Sequence, residues 1–300
     1  MQFWGLLEGR WGGATSQPEP ELRLAEKLAI ELKNKSQKTL TMIKSIHPIP
    51  AFTDNYIWAL HASDSNQLAV VDPGDAAPVV AYMQANGLQL SHVLITHHHP
   101  DHIGGLQQLK SAYDPVVYGP EPSGIAGITD FLHEGDSINL FGHVFDILEV
   151  PGHTLDHIAY SCQQAGQAML FCGDTLFAAG CGRLFEGTPA MMVESLAKLS
   201  SLDPATRVYC THEYTLANLK FASAADGTNE DLQRRISREE EKRRQDLPTL
   251  PSTIELELAT NPFLRCSDSK VVASIADRTG MEPDGPVEVF AALRSWKDKF

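Results

Sequence analysis

From Met42 onward, short apolar runs alternate with polar turns, as in strands interleaved with helices. Residues 67–72 (QLAVVD) read as a buried strand ending at Asp72-Pro73-Gly74. Asp75 then stands where a side chain caps a helix over Ala76–Asn86, with Pro78 in its first turn and Gly87 at its C-terminal stop. A second apolar strand, Val93-Leu94-Ile95, runs straight into a cluster of histidines. Residues 138–150 alternate on either side of Phe141-Gly142-His143, predicting a hairpin, and 157–162 with 168–172 predict another. Residues 189–199 predict a helix and 207–210 a last strand. After Cys210 the pattern turns helical: amphipathic 214–225, highly charged 230–246 broken by Pro248 and Pro251, and a final helix from Pro286. The expected organisation is α/β over residues 42–212 and all-helical over 213–300.

Residues 1–41 have a different texture, with Trp4, Trp11 and Gly12-Gly13 ahead of a polar stretch. They are expected to be a disordered extension before a natural start at Met42, although Leu22, Ala25, Leu28, Ala29 and Leu32 share one helical face. Glu8, Glu19, Glu21, Glu26 and Glu31 are too many acids for a transit peptide, and no secretory pattern is present. No apolar run approaches the roughly 20 residues that span a bilayer. The five cysteines form no CxxC pair, which predicts reduced, packed thiols and a cytoplasmic location. A formal charge of −14 argues against nucleic acid or an anionic membrane as partner.

The chemistry concentrates in Thr96-His97-His98-His99-Pro100-Asp101-His102, directly after a predicted strand. Imidazole nitrogens and carboxylate oxygens suit borderline divalent metals. Alternate residues of an extended segment face one side, so His97 and His99 can converge on one ion while His98 points away. Asp101 and His102 follow a turn and can face a second ion. A lone histidine is ordinarily a core or surface residue, but three further candidates also sit at predicted strand ends: His153, Asp174 and His212. Arg294 and Lys297, three apart on the last helix, share a face and alone read as a solvated surface pair. Cys181 reads as a small residue in a tight Gly-Cys-Gly turn rather than a nucleophile. Asp72 and Thr96 are candidate supports for the ligands.

This series resembles the metallo-β-lactamase superfamily, and its flanks resemble the glyoxalase II (hydroxyacylglutathione hydrolase) family. The flanks are IPAFTDNY (49–56), FCGDTLF (171–177) through Gly180-Cys181-Gly182-Arg183 to Glu186-Gly187-Thr188, CTHEYT (210–215), NLKFA (218–222), NPFLR (261–265) and LRSWKDKF (293–300). The resemblance covers residues 42–300 and implies an αββα sandwich with a C-terminal all-helical domain. It implies that His97, His99, His153 and Asp174 hold one ion, and Asp101, His102, His212 and Asp174 the other, the two most readily zinc. Two such ions turn a shared water into hydroxide near neutral pH, with Asp101 and Asp174 as the catalytic carboxylates.

The implied substrate is S-D-lactoylglutathione, cleaved in methylglyoxal detoxification. Tyr214, Arg183, Arg294 and Lys297 would bind its tripeptide, so the expected partner is a small-molecule glutathione thioester and the chain a monomer. Phe185 stands where many eukaryotic members have Tyr, and the missing hydroxyl weakens one hydrogen bond by about 0.5–1.5 kcal/mol. The alternatives are another hydrolase on this scaffold, an iron persulfide dioxygenase and a non-enzymatic metal-binding protein.

Overall fold

The computed structural model describes residues 41–121 and 124–300. The expected N-terminal extension therefore lies outside the described residues, apart from Thr41. Residues 41–300 form one compact unit.

The first sheet has six strands in chain order: β1 (Ile43–Ala51), β2 (Asn55–Ala62), β3 (Gln67–Val71), β4 (Gln89–Leu94), β5 (Val116–Pro120) and β6 (Asp130–Leu132). Its first pairings are antiparallel; from β3 onward they are parallel. Parallel neighbours need a crossover. That role falls to α1 (Ala76–Asn86) between β3 and β4, and to α2 (Pro100–Ile103) and α3 (Leu106–Tyr113) between β4 and β5. The predicted ends of α1 are present: Asp75 accepts a hydrogen bond from the Ala77 N–H, and Gly87 is left-handed at φ 64°.

The second sheet runs β7 (Ser137–Leu140), β8 (His143–Glu149), β9 (Ile158–Cys162), β10 (Met169–Gly173), β13 (Arg207–Cys210) and β14 (Ser252–Thr253). Between β10 and β13 lie the small hairpin of β11 (Leu176–Phe177) and β12 (Gly180–Cys181) and the helix α4 (Pro189–Ser200). β13 is not the last strand, as the sequence pattern had suggested. The two residues of β14 are too few to show a period, and they pair with β13 from within the otherwise helical C-terminal part. That part comprises α5 (Thr215–Ala225), α6 (Glu230–Arg244), α7 (Ile254–Thr260), α8 (Ser269–Thr279) and α9 (Pro286–Lys297).

Strand alternation shows why these sheets layer. On β2 and β3, Trp58, Leu60, Ala69 and Val71 face the second sheet and pack with Phe145, Ile147, Tyr160 and Leu170. Their neighbours Ile57, Ala59, Leu68 and Val70 face outward onto Val79 and Met83 of α1 and Leu106 and Leu109 of α3. Both faces of the first sheet are apolar, so it must be covered twice. The inter-sheet core continues into α4 and the C-terminal helices through Leu196, Phe221, Phe263 and Phe290. No helix among the described residues is long and apolar enough to cross a membrane.

Candidate metal centre and substrate cavity

Loops that follow strands β4, β8, β10 and β13 meet at one edge of the sandwich, joined by the β1–β2 turn. Polar side chains unwelcome inside a strand core gather where the strands stop. The Tyr56 N–H donates to the Thr211 carbonyl at 2.7 Å, and the Glu213 N–H to that of Asp54 at 2.8 Å, tying the two sheets at this edge. Gly173 bends the chain at φ 46°, and a Cβ there would stand 2.4 Å from Thr96 Oγ1, so the bend that presents Asp174 requires glycine.

His97, His99 and His153 hold donor atoms within 4.8 Å of one another, as do Asp101, His102 and His212. Asp174 lies between the two sets. Its Oδ1 is 3.4 Å from Nε2 of both His102 and His212, and its Oδ2 is 3.4 Å from Nε2 of His153. Asp101 Oδ2 is 3.5 Å from His102 Nε2 and 3.4 Å from His212 Nε2. These distances are longer than good hydrogen bonds. They suit two donors on one tetrahedral ion, because bonds of about 2.0–2.1 Å place ligand atoms about 3.4 Å apart. His97 Nε2, His102 Nε2 and Asp174 Oδ1 are buried with no hydrogen-bond partner. Each unpaired buried polar atom costs roughly 1–3 kcal/mol, so three in one place fit a shared cation. The described residues thus fit divalent metal.

The outward nitrogens are pinned. His97 Nδ1 lies 3.0 Å from Thr96 Oγ1, whose hydroxyl donates to Asp72 Oδ2 at 2.8 Å. His102 Nδ1 meets the same Asp72 oxygen at 3.0 Å, His153 Nδ1 the Arg183 carbonyl at 2.8 Å and His212 Nδ1 Asp54 Oδ1 at 2.7 Å. Such partners fix ring tautomer and orientation. Burial alone would raise the Asp174 carboxyl, but His102 and His212 outweigh it and hold it well below the usual range. Burial likewise opposes charge on His212, yet Asp174 and Asp101 push it up to about 10. The cluster favours positive charge, as a cation site must.

Two residues here escaped the sequence reading. Asp54 sat inside a quoted motif without a role, and it is the partner of His212. His157 was assigned only to a strand, which begins one residue later. Its buried ring stacks on His97 at 4.5 Å, and its Nε2 accepts the Asp174 N–H at 3.1 Å. Burial holds His157 well below the usual histidine range, so it stays neutral and can accept that bond. The available signal was its spacing from His153 in His-Thr-Leu-Asp-His.

A cavity of about 470 Å³ borders the cluster, lined by His153 and Asp174 together with Arg183, Tyr214, Arg294 and Lys297. Phe177, Cys181, Phe185, Ala217 and Asn218 complete its walls. Phe185 sets its ring edge-on to His99 and His153, and Tyr214 stacks on His212 at 4.6 Å. Arg294 and Lys297 are not a solvated pair. Arg294 is 5% exposed, donating to the Cys181 carbonyl at 3.0 Å and to Asp298 Oδ1 at 2.9 Å. Lys297 donates to Asn218 Oδ1, and burial brings its ammonium down to about 8. Burial raises the Cys181 thiol, in keeping with a structural role.

Comparison with known proteins places this geometry. Residues 54–212 match the metallo-β-lactamase superfamily, and residues 213–300 match the C-terminal part of hydroxyacylglutathione hydrolases. The hydroxyacylglutathione hydrolase of Pseudomonas aeruginosa PAO1 is 52% identical over 256 residues, covering 85% of this chain and 99% of that protein. That of Photobacterium profundum is 50% identical over 257 residues, with the same coverage. Among solved structures, ETHE1 from Myxococcus xanthus shares the fold at a TM-score of 0.57 and 22% identity, over 84% of this chain and 98% of that one. The di-iron-bound structure of TTHA1623 aligns at 0.52 with 26% identity, over 73% and 100%. With about half of the aligned residues shared along nearly the full length of such relatives, this chain belongs to the hydroxyacylglutathione hydrolase family of the metallo-β-lactamase superfamily.

Proposed function

We propose that this chain hydrolyses S-D-lactoylglutathione, and other S-2-hydroxyacylglutathiones, to the 2-hydroxy acid and glutathione. The observation that carries the reading is the single cavity shared by the metal-type donors His153 and Asp174 and by Tyr214, Arg294 and Lys297. The roles of the relatives at about 50% identity point the same way.

His97, His99, His153 and Asp174 would hold one divalent ion, and Asp101, His102, His212 and Asp174 a second. Four-coordinate spacing makes zinc the best fit, with iron and manganese sharing the donor preference. Bound ions of this kind activate water at neutral pH and polarise a carbonyl. The protein's own part is positional. Asp101 and Asp174 supply the negative charge and fixed oxygens around which the ligands are arranged. Tyr214 offers an aromatic face and a phenol, kept protonated chiefly by burial, to the tripeptide. Lys297, with Arg294 and Arg183, supplies positive charge for the glycine carboxylate. A thiolate leaves readily, so the cavity needs no dedicated acid.

On this reading residues 42–212 carry the metal centre and 213–300 most of the glutathione contacts, and the chain works as a monomer in the cytoplasm. All five cysteines are free and buried, which suits a reducing compartment.

The test is loss of thioester absorbance from S-D-lactoylglutathione, with and without prior chelation. Turnover abolished by chelation and restored by zinc is the expected result. No turnover from protein loaded with metal rejects the substrate and moves attention to nitrocefin, lactones and oxygen uptake with glutathione persulfide.

A further inference from the structure

The histidine between the two inward-facing ligands is also surrounded by carboxylates. We propose that His98, Asp156 and Glu186 form a separate site for one divalent ion of the manganese or zinc class, on the outer side of the loop that carries His97 and His99. Their donor atoms lie within 4.8 Å of one another. His98 Nδ1 is 2.9 Å from Asp156 Oδ1, and His98 Nε2 is 3.5 Å from Glu186 Oε1.

A second observation points to a ligand. The Asp156 side chain is only 10% exposed, and its other oxygen, Oδ2, is buried with no hydrogen-bond partner. Asp156 lines a cavity of about 430 Å³ together with His98, Glu121, Glu149 and Glu186. Four carboxylates thus share one space with a single imidazole, and no Lys or Arg is among the described lining residues. Glu121 has a partner in His133, and Glu149 accepts from the Glu134 N–H, which leaves Asp156 and Glu186 as the donors nearest His98. Two carboxylates on one imidazole lack matching positive charge, and a divalent ion supplies it. The nitrogen donor favours a transition metal over calcium or magnesium, which prefer all-oxygen sites.

The site has a mechanical consequence. Glu186 Oε2 also accepts the Leu155 N–H at 2.7 Å. An ion here therefore fastens three segments together: the loop of His97 and His99, the loop of His153 and His157, and the turn that carries Phe185. It would stiffen the frame of the inner centre without touching the reacting atoms.

The probe is Mn²⁺ added to the metal-loaded protein, counted by equilibrium dialysis and by the electron paramagnetic resonance of bound Mn²⁺. The wild type is expected to take up about one more Mn²⁺ per chain than Asp156→Asn or Glu186→Gln. Added Mn²⁺ is expected to raise Tm in the wild type and not in the variants. The difference between proteins is the readout, so it does not depend on how many ions the inner centre holds. Equal Mn²⁺ counts in all three proteins overturn the site and leave His98 as an imidazole hydrogen-bonded to Asp156. Glu186, being exposed, keeps the comparison decisive if Asp156→Asn alters folding.

Discussion

Asp54→Asn is the most informative single change in the inner centre. Asp54 Oδ1 accepts the Nδ1–H of His212 at 2.7 Å, a short contact of the charge-assisted kind. Asparagine keeps an acceptor and the shape but removes the charge. A charge-assisted hydrogen bond contributes about 1.5–3 kcal/mol and a neutral one about 0.5–1.5, so the change removes about 1–1.5 kcal/mol, or roughly tenfold in affinity. Outer partners of metal-binding histidines are typically worth 10–100-fold. The Asp54 side chain is 31% exposed, so water can replace part of the interaction and the lower end applies. Competition against a chromophoric chelator resolves the two stepwise zinc affinities. The expected result is that one of them falls about tenfold, the other holds, and activity returns at saturating zinc. Two unchanged constants, or equal losses in both, would refute the argument that Asp54 acts through His212.

Further expectations bear on charge, pH and stability. Asp174→Asn is expected to lose most bound metal and activity, since its oxygens lie 3.4 Å from His102, His212 and His153; elemental analysis showing full metal content contradicts this. Lys297 is cationic only below about 8, because burial penalises its charge. The kcat/KM for S-D-lactoylglutathione should therefore fall as pH rises through that value, and Lys297→Met should lower kcat/KM and abolish this limb; an identical profile in the variant removes Lys297 from recognition. Glu257 is fully buried and pairs with Arg235 while accepting the Ala179 and Asn261 N–H groups. Glu257→Ala leaves the guanidinium unpaired and should cost about 3–5 kcal/mol in urea unfolding; a loss under about 1 kcal/mol would show that solvent or relaxation compensates.

The sequence determined what is carried by near neighbours. Apolar runs marked β3 and β4, the hairpin patterns marked β7 to β10, Asp75 and Gly87 marked the ends of α1, and the His97/His99 alternation followed from the extended backbone, whereas β1, β2, β5 and β6 were not singled out. The metal-type donors were legible because His97, His153, Asp174 and His212 come just after apolar strands, with His99, Asp101 and His102 close behind His97. Tertiary structure decided what depends on which strand lies beside which. The pairing of β10 with β13 brings Asp174 and His212 together, and the bridge from Asn55 to His212 delivers Asp54 to a histidine 158 residues away. The same long-range packing set His157 beneath Asp174, buried Arg294 where spacing had suggested a surface charge, and put β14 on β13. Local periodicity contains no information about these contacts, because it reports only which face of an element is apolar, whereas sheet order and burial arise when distant faces are covered together.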